Sequence, residues 1–244
     1  MKTQKTAIVT GASRGIGKAI ALKLGQEGYA VVVNYVSSEQ DALSVVQEIK
    51  GNNGQAIAIK ANVASFPDME RLFAETAATF GGIDIVVNNA GVSKVKTMIE
   101  SDDELFDYLF NVNVRGTLHS FKCAAKYVRN GGRIINFSST AVATATPNLG
   151  VYIGAKAAVE AFTKVFAKEL RGKNITVNTI APGLIKSEMF FEGKTAEQIQ
   201  HMSTLSPLER LGEVSEIANV VSFLASQEAS WVNGQTIRVN GGIA

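Results

Sequence analysis

Thr6-Ala7-Ile8-Val9-Thr10-Gly11-Ala12-Ser13-Arg14-Gly15-Ile16-Gly17-Lys18-Ala19-Ile20 is the stretch that decides the fold. Its first four residues read as a buried strand, and Ile16, Ile20 and Leu24 then recur at helical spacing. Between them, Gly11, Gly15 and Gly17 permit a tight turn and a close approach of backbone to a ligand. A strand that turns through glycines into the N-terminus of a helix presents free N–H groups to an anion, which is how a dinucleotide pyrophosphate is held. The strand before and the helix after supply the context that a bare glycine triplet lacks.

Working outward, similar apolar runs recur at Ala30–Val33, Ala56–Ile59, Ile83–Val87, Arg133–Asn136, Ile175–Asn178 and Thr236–Val239. They are near-continuous rather than alternating, the pattern of strands covered on both faces. Segments of helical spacing lie between them, among them Met69-Leu72-Phe73 and Val159-Phe162-Val165-Phe166. The expectation is an α/β fold, a doubly wound (Rossmann) parallel sheet of about seven strands with helices on both faces. At 244 residues the chain has the length of one large domain or two small ones. With its four prolines in apparent loops and no low-complexity linker, a single domain over residues 1–244 is the simplest reading. The stretch from Ile185 to Ser206 breaks the strand–helix rhythm and is read as a lid.

Composition narrows the function. Hydrophobic residues are 46% of the chain and the formal charge is +2, with Lys and Arg dispersed, so neither nucleic acid nor an anionic membrane is an expected partner. Cys123 is the sole cysteine, which excludes an internal disulfide, and His119 and His201 lack ligand spacing, so no metal site is expected. Met1-Lys2-Thr3-Gln4-Lys5 runs directly into the first strand, leaving no room for a signal peptide, and a cytoplasmic location follows.

Further motifs stand at strand ends: Asn88-Asn89-Ala90-Gly91, Ser138-Ser139, Tyr152-Ile153-Gly154-Ala155-Lys156 and Pro182-Gly183. With the glycine turn, they make the chain resemble the short-chain dehydrogenase/reductase family from Thr6 to the closing Val239-Asn240-Gly241-Gly242. The resemblance implies a hydride-transferring oxidoreductase acting on a small carbonyl or alcohol substrate, and a homotetramer. Residues four apart on a helix share a face, so Tyr152 and Lys156 are mutually within reach. A nearby ammonium favours the phenolate, making Tyr152 a usable acid or base. By resemblance, Lys156 also holds the nicotinamide ribose, Ser139 stabilises the reacting oxygen, and Asn113 holds a water that relays protons to Lys156. Ser138 and Asn111 are the neighbours with which the last two are confusable.

Coenzyme contacts are expected at Gly11, Ser13, Arg14, Gly15, Ile16, Gly17, Asn34, Tyr35, Ser37, Asn62, Val63, Asn89, Ala90, Gly91, Tyr152, Lys156, Pro182, Gly183, Ile185 and Ser187. No carboxylate ends the second strand at Val33-Asn34-Tyr35-Val36-Ser37, while Arg14 is placed to pair with a 2′-phosphate. NADP(H) is therefore expected over NAD(H). Two departures from the family pattern matter. Asn62 stands where an aspartate is common, and Val92-Ser93-Lys94-Val95 replaces the continuation usual in acyl-carrier-protein reductases. Val142, Ala143, Leu149, Met189 and Phe190 are expected to line a substrate site, with ketone reduction favoured and 3-oxoacyl reduction or sugar oxidation as alternatives.

Overall fold

The computed structural model describes residues 4–244. Met1 to Thr3, on which the reading of the N-terminus partly rests, lie outside the described residues. The strands are β1 (Thr6–Val9), β2 (Ala30–Tyr35), β3 (Gln55–Lys60), β4 (Ile83–Asn88), β5 (Val128–Phe137), β6 (Thr176–Pro182) and β7 (Thr236–Val239). Longer helices are α1 (Gly15–Gln26), α2 (Glu39–Gly51), α3 (Phe66–Phe80), α4 (Asp103–Phe110), α5 (Gly116–Tyr127), and, after the single turn α6 (Ala141–Thr144), α7 (Gly150–Glu169). The single turn α8 (Glu188–Phe191), α9 (Ala196–Ser203) and α10 (Val214–Ala225) complete the set. Among the described residues no helix is long and apolar enough to cross a membrane.

All seven strands are parallel, in the order β3-β2-β1-β4-β5-β6-β7. Successive strand residues point to opposite faces. Ala7 and Val9 therefore pack with Ile20 and Leu24 of α1, Val45 of α2 and Val221 of α10, whereas Ile8 packs with Phe73 of α3, Phe121 of α5 and Phe166 of α7. Two apolar cores thus sandwich the sheet, and the central strands are buried along their length. Chain order reverses between β1 and β4, so a crevice forms beyond their C-terminal ends, the position where open α/β sheets hold ligands.

The structure extends the sequence reading in two places. β5 begins at Val128, five residues before the apolar run, because the register slips between Ile83 and Ile85 and accommodates Gly131 at φ +84°. Val165 sits off the stripe formed by Val159, Thr163 and Phe166 on α7 and is 54% exposed.

Candidate active site

The glycine turn is built by its neighbours. Gly11 and Gly15 adopt positive φ, +62° and +55°, which a side chain would strain. At Gly17 a Cβ would lie 2.2 Å from the Gly11 carbonyl and 2.5 Å from Asn89 Nδ2, so only glycine lets α1 start this close to β1. Asn89 ties the turn down by donating to the carbonyls of Thr10 (2.9 Å) and Gly11 (3.1 Å), and the Ala90 N–H donates to Thr10 Oγ1 (3.0 Å). No side chain caps the start of α1, leaving its first N–H groups for an anion. The space above Gly15 is open, its nearest outside atom being Ser187 Cβ at 3.9 Å. A pyrophosphate fits this cradle.

Several expected contacts have other tasks. Asn34 is buried; its Oδ1 accepts from the Gly11 N–H (3.2 Å), and its Nδ2 donates to the carbonyls of Ile59 (3.2 Å) and Ala61 (3.0 Å). Its amide braces the turn. Tyr35 is buried and its hydroxyl engages Glu39, while Ser37 is exposed. Asn62 Oδ1 accepts from the Ala64 N–H (3.0 Å), and the buried Val63 packs where Gly116 leaves room. Ser187 Oγ caps α8 through the Phe190 N–H (3.3 Å), and the buried Ile185 bridges to Gly212. Pro182 ends β6, and Gly183 passes so close to Asn240 that a Cβ would lie 2.7 Å from its Cα. Ser13 and Ile16 stay at the half-exposed mouth of the turn. Arg14, exposed, pairs with Glu188 across the crevice (Nε to Oε2, 3.6 Å).

At the ends of β4 and β5 four expected residues converge. Tyr152 and Lys156 share a face of α7, and the lysine Nζ lies 5.8 Å from the phenol ring centroid. Lys156 is buried and donates to the Phe137 carbonyl (2.9 Å). Burial disfavours its charge and lowers its pKa to about 8. A Cβ on Gly91 would lie 2.9 Å from Asn113 Oδ1 and 3.2 Å from Lys156 Nζ, so all three meet at one point. Asn113 lies in a π-helical turn, Asn111–Arg115, a geometry frequent at functional sites. It grips the strand-end loop by donating to the Val92 carbonyl (2.9 Å) and accepting from the Val92 N–H (3.1 Å).

Burial governs the electrostatics of Tyr152. Its pKa is raised, because burial penalises the phenolate, and a hydrogen bond with Ser139 opposes that rise. The Lys156 ammonium, 5.8 Å from the phenol ring centroid, donates to the Phe137 carbonyl. Ser139 Oγ accepts from the Ala141 N–H (3.2 Å), so its own proton is free to point outward. Ser138, the neighbour, turns inward and donates to Glu160 (2.6 Å).

Three residues are missed by the sequence reading. Glu160 and Glu188 look like solvated helix charges in the linear chain, although Glu160 is one turn beyond Lys156 on the same face. Met98 packs its thioether over Gly150, at the start of α7, where a Cβ would come within 2.1 Å of the sulfur. Val142 and Leu149 are half-buried and Met189 is 55% exposed.

Known proteins resemble this chain along nearly its whole length. A family model described as enoyl-(acyl carrier protein) reductase matches residues 11–244. A short-chain type dehydrogenase/reductase of Picea abies is 46% identical over 248 residues, covering 98% of this chain and 92% of that protein. The 3-oxoacyl-[acyl-carrier-protein] reductase of Staphylococcus aureus is 41% identical, covering 100% and 99%. Among solved structures, an angucycline C-6 ketoreductase with bound NADP superposes with a TM-score of 0.90 at 37% identity, covering 98% and 95%.

Proposed function

The chain belongs to the short-chain dehydrogenase/reductase family and is an oxidoreductase, and from that premise we propose that it reduces a ketone to a secondary alcohol with NADPH, reversibly, using Tyr152 as general acid and base. The observation that carries this reading is the placing of Tyr152 one helical turn before the buried Lys156, whose Nζ lies 5.8 Å from the phenol ring centroid, with Asn113 meeting that ammonium at Gly91.

When bound, the nicotinamide supplies the hydride that goes to the carbonyl carbon. The protein's own residues handle the oxygen. Ser139, which accepts from the Ala141 N–H, donates a hydrogen bond to the carbonyl oxygen and steadies the charge that develops there. Tyr152, a phenol that burial makes harder still to ionise, holds its proton at neutral pH and delivers it to the same oxygen. Lys156, fixed by the Phe137 carbonyl, neutralises the phenolate that remains and holds the ribose. The relay water of this reading takes the lone pair that Asn113 Oδ1 does not spend on Val92.

In the proposed coenzyme site, the α1 start and Gly11, Gly15 and Gly17 hold the pyrophosphate, and Asn34 and Asn89 brace that turn from below. Arg14 takes the 2′-phosphate. Support comes from the missing carboxylate at the end of β2 and from the NADP bound to the angucycline ketoreductase. Residues 185–206 act as a lid within one catalytic unit. A 3-oxoacyl thioester is the second substrate class, supported by the Staphylococcus relative. The reading carries with it a cytoplasmic homotetramer, favoured by the exposed Val165, Phe223 and Trp231 on α7, α10 and the approach to β7.

The test is NADPH oxidation over a panel of ketones, 3-oxoacyl thioesters, quinones and keto-sugars, with Tyr152→Phe as control. Turnover of one class that drops by about a hundredfold or more in the control supports the reading. Turnover that survives loss of the hydroxyl removes Tyr152 from the chemistry. Light scattering that reports a monomer removes the tetramer.

A further inference from the structure

We infer that Glu188 is a specificity-determining residue that competes with the coenzyme's 2′-phosphate for Arg14, and so weakens binding of NADPH without touching NADH. The inference rests on the reading of Arg14 given above and adds the group opposing it.

Arg14 is the only cation of the glycine turn, residues 10–17. Its guanidinium faces the Glu188 carboxylate at 3.6 Å, and Ser187 Cβ stands 3.9 Å from where a Cβ on Gly15 would be. The start of α8 therefore stands across an open gap from the turn that cradles the pyrophosphate, joined to it by the Arg14–Glu188 pair. A cleft of about 380 Å³ lies against this contact, lined by Gly15, Lys18, Ala19, Ser187, Glu188 and Phe191. The other cations bordering it have acidic partners of their own, Lys18 with Glu48 (3.1 Å) and Lys186 with Glu213. Neither replaces Arg14 when Glu188 occupies it.

Glu188 reaches only Nε of the guanidinium, at 3.6 Å, so a dianionic phosphate taking the rest of the fork would lie beside a carboxylate of like charge. Binding of NADPH therefore works against the Glu188 charge, whereas NADH, with a neutral 2′-hydroxyl, leaves the pair intact. The side chains are 67% and 65% exposed, so the pair is screened and the cost of breaking it is small. By linkage, whatever NADPH loses in separating the pair is also lost to the contact between α8 and the glycine turn.

The experiment measures dissociation constants for NADPH and NADH, by fluorescence of the bound nicotinamide, in the wild type, Glu188→Gln, Arg14→Ala and the double variant. Glu188→Gln should tighten NADPH by about two- to fivefold, the range set by an exposed ion pair. It should leave NADH unchanged and have no effect once Arg14 is alanine. Equal tightening of both coenzymes, or tightening that persists in Arg14→Ala, would overturn the competition. If Arg14→Ala collapses the preference for NADPH but Glu188→Gln behaves as wild type, only the role of Glu188 falls. If Arg14→Ala leaves the preference unaltered, the assignment of the 2′-phosphate to Arg14 falls first and this inference with it.

Discussion

The side-chain oxygen of Asn34 accepts the backbone N–H of Gly11 at 3.2 Å, so the last turn of β2 braces the first turn of the coenzyme cradle. The other end of the same amide donates to the Ile59 and Ala61 carbonyls (3.2 and 3.0 Å). An acid introduced here to imitate an NAD-binding enzyme would face two carbonyls inside the protein, not a ribose. Asn34→Asp is expected to lower stability by about 2 kcal/mol or more, read as a fall in the urea midpoint. The ratio of NADPH to NADH affinity should stay within twofold of wild type. A swing towards NADH would mean that the side chain meets the coenzyme after all.

Gly17→Ala tests the cradle itself. The added methyl would stand 2.2 Å from the Gly11 carbonyl, which is backbone and has no room to retreat, and 2.5 Å from Asn89 Nδ2. Overpacking of this kind costs about 1–3 kcal/mol and displaces what it touches. Loss of dinucleotide binding should exceed the loss of melting temperature, because the atoms pushed are those that shape the phosphate site. Calorimetric titration with the dinucleotide checks this.

The sheet was legible in the sequence because buried parallel strands are continuous apolar runs, as Val31-Val32-Val33 and Ile85-Val86-Val87 show. The early half of β5 was not, since Arg129, Asn130, Gly131 and Gly132 carry no such signal and enter the sheet only through the register slip opposite Ile83. Site residues separate along the same line. Tyr152 and Lys156 share a helix face by spacing alone, whereas the tasks of Asn34, Ser138 and Arg14 depend on partners 25, 22 and 174 positions away. Hydrogen-bond partners at that range are set by the tertiary fold, and no local pattern encodes them.

Cys123 should be inert. It is buried in α5, and burial pushes its thiol up to about 11, with Glu70 adding to the rise. The native protein at pH 8 is expected to resist iodoacetamide and to react with it fully once unfolded in urea, as mass spectrometry would register. Rapid labelling of the native state would show that α5 opens.

Lys156 gives the fold a pH signature of defined sign. Its folded pKa is about 8, against 10.5 for a free lysine, so between those values the unfolded chain binds more protons than the folded one. Stability from this group therefore rises as pH increases from about 8 to 10.5, and below pH 8 its burial costs about 3 kcal/mol. Lys156→Met is expected to melt above the wild type at pH 7, with the gap closing towards pH 10. A constant gap across that range would mean that the ammonium is not desolvated.

Ser139→Ala separates two contributions of one hydroxyl. The Ser139 hydrogen bond lowers the Tyr152 pKa against the larger effect of burial, so removing it leaves burial unopposed and the phenol harder to ionise. In the proposed alcohol oxidation Tyr152 acts as the base, so the ascending limb of the rate profile should move to higher pH in the variant. The same substitution removes a donor from the reacting oxygen and should lower kcat by about a hundredfold even where Tyr152 is fully ionised. In ketone reduction, where Tyr152 is the acid, only the second effect should appear at neutral pH. Profiles measured in both directions distinguish these outcomes: a loss of kcat with no alkaline shift in oxidation would detach Ser139 from the titration of Tyr152. It would leave the serine as an oxygen-binding donor held in place by Ala141.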